Sequence, residues 1–238
     1  RDPWRRQAKS SGYRSRSAYK LLQCQNKFQL IRPGDVVVDV GCHPGGWTQV
    51  AVEQVGEDGL VIGVDLEPCA PIEGSTLIVG DVTEKEVQAN IEESLEGRAP
   101  NSIVSDISPK LTGRYEMDQA ISIELVCMVM DYSFPMLAPG GSFLTKVFQG
   151  RGIESLVDAA KAHFSKVQRF SPVASRNSSS EVYLVCKNKL PQPRKWARGK
   201  TVFELVQESL TEAGFVTDGG EDEEFTGKVG FSVHRSKK

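Results

Sequence analysis

A lysine in the middle of an apolar strand is the first feature of this chain that needs a chemical reason. Lys146 lies within Leu144-Thr145-Lys146-Val147-Phe148, toward the carboxyl end of the run, where open α/β sheets bind their ligands. Asp106 closes another short apolar run, Asn101–Asp106, just before Ile107-Ser108-Pro109. Taken singly, each has a plain explanation: a strand lysine can snorkel its amine to water, and an aspartate can cap a turn. Their joint placement alters the balance, because the fourth and fifth strands of such a sheet are neighbours and present their tips at one edge. Burial lowers the pKa of an amine and neighbouring carboxylates raise it. An amine so placed can steer, or take a proton from, a weakly acidic hydroxyl.

A second set of residues points to what binds beside them. Val36-Val37-Val38-Asp39-Val40 reads as a fully buried strand, and Gly41-Cys42-His43-Pro44-Gly45-Gly46 as a glycine loop. From Trp47 the period becomes helical, with Trp47, Val50, Ala51, Gln54 and Val55 on one face. Glycines let a ligand approach the backbone, and the helix beyond offers free N–H groups and the positive end of its dipole. The Gly-x-x-x-Gly-Gly spacing does not match the Gly-x-Gly-x-x-Gly of dinucleotide folds, so a pyrophosphate cradle fits poorly. Val61-Ile62-Gly63-Val64-Asp65 ends in an acid about twenty residues beyond Gly45, where it can accept from ribose hydroxyls. Thr76-Leu77-Ile78-Val79-Gly80-Asp81 ends in another. Strands that close on acids beside a glycine loop predict an adenosine-bearing cofactor across the carboxyl edge of a sheet.

The elements that must hold these residues alternate in type. Pro33-Gly34-Asp35 turns into the first strand, and Thr83 is a candidate cap for a helix over Glu84–Leu95. A long helix is expected over Tyr115–Met136, a strand over Ser142–Phe148 and a helix over Ile153–His163. A sixth strand near Val167–Phe170, a serine-rich loop Ser171–Ser180 and a strand Glu181–Cys186 complete the sheet. The expected fold is α/β and doubly wound, with helices on both faces of a mostly parallel, seven-stranded sheet. Ser15 or Ser17 is a candidate cap for a helix over Ala18–Phe28, with Tyr19, Leu21 and Leu22 inward and Arg14, Arg16 and Lys20 near the exposed face. Residues 1–189 read as one domain and 190–238 as an extension of unassigned role. That extension holds a proline linker, a helix over Thr201–Ala213, an acidic stretch Asp218–Glu224 and a possible edge strand over Val229–Val233.

The chain has 238 residues, enough for one full α/β core, and a formal net charge of −2 that is unevenly spread. Residues 1–32 carry Arg1, Arg5, Arg6, Lys9, Arg14, Arg16, Lys20, Lys27 and Arg32 against the single acid Asp2. With Tyr13 and Tyr19 interleaved, and Arg1–Gly12 expected to be irregular, this reads as an RNA-binding segment, since aromatic and guanidinium planes stack on unpaired bases. The cysteines Cys24, Cys42, Cys69, Cys127 and Cys186 are scattered and read as reduced thiols of a cytoplasmic protein. Neither they nor the unclustered histidines predict a metal site. No signal peptide or membrane span is expected, the longest apolar run being broken by Asp131 and Pro135, and the lack of an initial Met is consistent with a trimmed chain.

Five motifs in order, Arg16–Leu21, Val38–Trp47, Ser105–Pro109, Leu144–Phe148 and Ser178–Val185, resemble those of the FtsJ (RrmJ) family of RNA ribose 2′-O-methyltransferases. The resemblance runs from about Arg5 to Lys187. It implies a Rossmann-like methyltransferase fold and S-adenosyl-L-methionine as cofactor. Lys146 is then the main catalytic residue, with Asp106 and Glu181 orienting it and Lys20 holding the RNA. The cofactor is held by Gly45 and Trp47 at the loop, Asp65 at the ribose, Asp81 near the adenine and Asp106 near the methionine end. No metal is required. His43 stands where relatives commonly carry a small residue, and Lys110 where they often carry Asn. The implied substrate is a uridine of large-subunit (23S-type) ribosomal RNA, and the implied state a monomer. A transfer RNA substrate, a non-catalytic RNA-binding or assembly factor on the same fold, and a nicotinamide-dependent oxidoreductase are the alternatives.

Overall fold

A computed structural model describes residues 3–109, 112–175 and 180–215. Helices α1 (Pro3–Ser10) and α2 (Ala18–Phe28) precede an alternating series. That series runs β1 (Val36–Val40), α3 (Gly46–Val55), β2 (Leu60–Asp65), β3 (Ser75–Val79), α4 (Lys85–Ser94), β4 (Ser102–Ser105), α5 (Tyr115–Met136) and β5 (Ser142–Phe148). Helix α6 (Ile153–Lys161), strands β6 (Phe164–Phe170) and β7 (Glu181–Lys189), a 3-10 turn (Lys195–Ala197) and α7 (Val202–Glu212) follow.

The sheet has seven strands in the order β3-β2-β1-β4-β5-β7-β6. Strands β1 to β5 pair in parallel, while β7 runs antiparallel between β5 and β6. The absence of a polar face in β1 now has its cause. Val36, Val38 and Val40 face one apolar layer, beneath α4, α5, α6 and α7, and Val37 faces the other, beneath α2 and α3. Each large apolar side chain so buried contributes roughly 1.5–3 kcal/mol. Because the parallel strands run in one direction, Asp65, Asp106 and Lys146 come to a common carboxyl edge.

Helix α7 is welded to this body. Thr201 and Glu204 form a reciprocal capping box, and the Asp131 carboxylate on α5 accepts from the N–H groups of Val202 and Phe203. Val202, Leu205 and Val206 join the layer built by α5 and α6. The acidic stretch Asp218–Glu224 and the strand expected over Val229–Val233 lie outside the described residues. No helix among the described residues is long and apolar enough to cross a membrane.

Several local expectations are corrected. The first residues are helical rather than irregular: Trp4 and Tyr13 pack on Tyr19, and Ala8 is buried with Tyr19 and Ala174. Tertiary docking, not intrinsic propensity, sustains so short a helix. Tyr13 and Tyr19 are therefore used within the protein, their hydroxyls donating to Glu53 and Ser11. Neither Ser17 nor Thr83 caps its helix through its side chain; Thr83 instead donates from both N–H and hydroxyl to the Asp81 carboxylate. Lys20, expected near the exposed face, is only 6% exposed. Strand β3 ends at Val79, so Asp81 sits in the following turn.

The start of α2 is bound to the glycine loop. Trp47 Nε1 donates to the Ser17 carbonyl at 2.8 Å, and Arg14 N–H donates to Gln49 Oε1 at 2.9 Å. At Gly46 a Cβ would lie 2.4 Å from Ser15 Oγ but 3.5 Å from Ser15 Cβ and N, so an alanine there must displace the serine hydroxyl. Gly46→Ala is expected to cost about 1–3 kcal/mol in denaturant unfolding. Ser15→Ala in the same chain should recover most of that loss; equal destabilisation with and without the serine hydroxyl would refute the contact.

Candidate active site

Three strand ends and one helix meet at the carboxyl edge. Strand β4 delivers Asp106 one residue past its end, β5 delivers Lys146, β7 delivers Glu181 and Tyr183, and α2 delivers Lys20 from its first turn. The antiparallel register sets Lys146 opposite Tyr183 and Phe148 opposite Glu181. Opposed residues share a face, so Lys146, Tyr183 and Glu181 all look toward α2 and α3.

Two buried ion pairs result. Lys146 Nζ donates to the main-chain oxygen of Asp106 at 2.7 Å and lies 3.1 Å from its carboxylate Oδ1. Lys20 Nζ lies 2.7 Å from Glu181 Oε2. Glu181 thus pairs with Lys20. Tyr183 connects the two pairs: its hydroxyl donates to Asp106 Oδ1 at 2.8 Å, and the Lys20 amine stands 5.8 Å from its ring centre. Burial above all, then the charge and hydrogen bond of Asp106, hold the Tyr183 hydroxyl well above its ordinary pKa. It remains a proton donor to Asp106. An ammonium has three N–H donors, and Lys146 directs one to the carbonyl and one to the carboxylate, leaving one for a ligand.

The other expected cofactor residues line the same edge with unequal access. Asp65 lies at the end of β2, where its carboxylate oxygens accept from the His43 and Glu67 N–H groups. Asp81 is oriented by Thr83. Gly45, with φ +109°, is the N-cap of α3, and a Cβ there would meet Ile72 and Arg14. Its glycine is required by packing as much as by any approaching ligand. Trp47 is 2% exposed and its ring lies 5.8 Å from that of Tyr183, so only its backbone faces the loop. His43, at the exposed bend, approaches the Pro68 carbonyl with Nδ1 at 3.3 Å. Cys42 and Cys69 are free thiols with their sulfurs 3.7 Å apart. Lys110, Ser178 and Ser179 lie outside the described residues.

Three contributions escaped the residue reading. Tyr183 lies two positions after Glu181, so the period of a strand already places both on one face. Asp39 is fully buried: Oδ2 accepts from the Thr48 hydroxyl at 2.7 Å and Oδ1 has no partner. An acid inside a valine run was the available signal. Arg14 had none, yet its guanidinium donates to the carbonyls of Pro44, Ala70 and Pro71 and clasps the glycine loop to the loop after β2.

The sheet order, the glycine loop and the acid-lined carboxyl edge define a Rossmann-like methyltransferase. The chain belongs to the FtsJ-like methyltransferase family, whose profile matches residues 13–189. It is 42% identical over 214 residues to the Methanothrix thermoacetophila protein named Ribosomal RNA large subunit methyltransferase E, covering 90% of this chain and 82% of that one. With the Marinobacter nauticus protein of the same name it shares 45% over 186 residues, covering 78% and 90%. A solved Plasmodium falciparum chain assigned as a ribosomal RNA methyltransferase superposes with a TM-score of 0.69 at 30% identity, over 75% of this chain and 99% of that one.

Burial raises the Asp39 carboxyl from its ordinary 3.8 to about 7, against the lowering effect of Thr48. The folded state therefore holds a proton that the unfolded chain releases. Stability attributable to this group falls as pH rises from about 4 to about 7 and is level beyond. Asp39→Asn is expected to flatten that decline in thermal melts and to stabilise the protein above pH 7 by up to roughly 4 kcal/mol. A variant that keeps the wild-type pH slope would show that Asp39 is ionised throughout.

Proposed function

We propose that the protein transfers a methyl group from S-adenosylmethionine to a ribose 2′-hydroxyl of large-subunit ribosomal RNA. The carrying observation is the buried Lys146–Asp106 pair, linked to Tyr183, at the carboxyl edge of a chain whose relatives bear that name. The donor set suits the cofactor. Asp65, Asp81 and Asp106 gather acid at this edge, and Asp39 Oδ1 beneath them is an orphaned buried oxygen. Such a field favours a cationic ligand, while the amino end of α3 suits a carboxylate. Asp65 would hold the ribose, Asp81 would stand near the adenine, and the Gly45–Trp47 backbone and Asp106 would hold the methionine portion. When bound, S-adenosylmethionine supplies an electrophilic methyl group on sulfonium sulfur.

The chain's own residues do the rest. Once its third N–H proton has been lost to solvent, Lys146 keeps its other two N–H groups on Asp106. It turns its lone pair to the 2′-hydroxyl and takes up the hydroxyl proton as the oxygen is methylated. Asp106 fixes the amine from two oxygens and balances the charge it gains. Tyr183 fixes Asp106 in turn. Glu181 holds Lys20 at the rim, where the amine meets the RNA backbone. Correct placement of two reacting groups contributes up to about 7–11 kcal/mol, more than a proton acceptor alone. A cytoplasmic monomer acting on a uridine completes this reading.

Incubation with labelled cofactor and separated ribosomal and transfer RNA pools tests it, with label expected in large-subunit RNA. Label confined to transfer RNA would replace the substrate. Lys146→Ala is expected to lower methyl transfer by about 10²–10⁴ while calorimetry shows cofactor affinity nearly unchanged. Asp106→Ala should reduce both. Wild-type turnover by Lys146→Ala would end the catalytic assignment.

A further inference from the structure

The open edge of the sheet, away from the methyl-transfer site, carries charge and an aromatic ring that the reaction does not use. Strand β6 is the outer strand, and Lys166 on it is paired directly with Lys187 on β7. Like charges placed opposite each other on a sheet destabilise it. Arg32 adds a third cation, and burial followed by the charges of Arg32 and Lys166 depresses the Lys187 amine. No carboxylate forms an ion pair with these three among the described residues; Asp35 only accepts from the Arg32 main-chain N–H.

Each lysine of this pair borders a hollow. One, of about 290 Å³, lies at the amino edge and includes Arg32, Asp35 and Lys187. The other, of about 590 Å³, runs along β6 and is bordered by Lys161, Lys166, Arg194 and Trp196. Trp196 is 54% exposed, although its neighbour Ala197 is buried and anchors the turn that carries it. Arg194 is held in place by its Nε donating to the Lys161 carbonyl at 3.0 Å. The chain from Lys187 to Lys200 contributes Lys187, Lys189, Arg194, Lys195, Arg198 and Lys200 with no acid between them. Much of this stretch lies beyond residues 13–189 that match the family.

Among the described residues the Arg32–Lys166–Lys187 band has no paired carboxylate, its Lys187 amine donating only to the Phe28 carbonyl. Beside an exposed indole it suits a polyanion with flat faces. Phosphates neutralise the band, and unpaired bases stack on the ring at about 1–3 kcal/mol each. We propose that the β6 groove and the Arg32–Lys166–Lys187 band form a second RNA-binding surface, taking an unpaired stretch of the substrate RNA. This rests on the reading of the substrate as RNA. Lys187 lies six residues along β7 from Glu181, so the surface begins roughly 20 Å from the methyl-transfer site. It is spaced to hold the same RNA a few nucleotides away from the reacting ribose.

Full-length protein titrated with a labelled single-stranded oligouridylate, and with a duplex of equal length, tests the surface without requiring turnover. Trp196→Ala is expected to weaken single-strand binding about tenfold while sparing the duplex, and Trp196→Phe to restore it. Lys166→Ala should reduce the slope of log affinity against log salt by about 0.7. In methyl transfer to ribosomal RNA both variants should raise KM and leave kcat within about twofold. Wild-type affinity and salt slope in Trp196→Ala and Lys166→Ala would overturn the proposal. Loss of polyglutamate binding alone in these variants would overturn it in favour of an acidic protein partner. Loss of RNA binding in the variants of a protein that transfers no methyl group would support the surface and count against the enzymatic reading instead.

Discussion

Everything at the carboxyl edge depends on keeping one amine buried. Lys146 is enclosed by apolar strands, and an ammonium there is costly unless its donors are met. Asp106 meets two of them, one through its main chain and one through its side chain. A main-chain acceptor cannot rotate away, so the amine is fixed by the course of β4 as well as by a side-chain rotamer. Tyr183, whose hydroxyl stays protonated, holds the carboxylate from the opposite strand. The order of strands serves this requirement. Inserting β7 between β5 and β6 sets Tyr183 and Glu181 beside Lys146, which a wholly parallel arrangement in chain order would not do.

The amino-terminal segment is part of the same construction. Lys20 is held from Glu181, three residues beyond Ser17, whose carbonyl accepts from Trp47 at the start of α3. Arg14 bridges the two loops that flank Asp65, and Ser15 packs against Gly46. The glycines of the loop therefore serve close packing between protein segments as well as access for a ligand. The amino-terminal segment is thereby mechanically continuous with the loops beside Asp65 and Gly46. Helix α7 supports the other layer through Asp131 and its capping box, far from the reacting groups.

Much of this could be read from residue types. The valine run of β1, the long helix Tyr115–Met136 and the strand Ser142–Phe148 carry patterns that burial on two faces imposes, and α5 and β5 match them residue for residue. Strands β6 and β7 extended beyond their expected limits, because polar positions such as Lys166 and Lys187 are drawn into the ladder by pairing, not by local apolarity. Helix α1 was hidden for a related reason: its stability comes from contacts with Tyr13 and Tyr19, distant from its own composition. The charged face expected of α2 failed at Lys20, where an acid 161 positions away supplies the partner.

Local sequence determined the alternating elements, the glycine bend and the chemical identity of Lys146, Asp106, Glu181 and Lys20, because period and side-chain type are carried by neighbouring residues. Only the tertiary structure decided which of these groups touch, that Tyr183 joins them and that Asp39 keeps an unpartnered oxygen. Strand order and antiparallel register are set by packing of the whole sheet, so contacts between distant strands have no local signature.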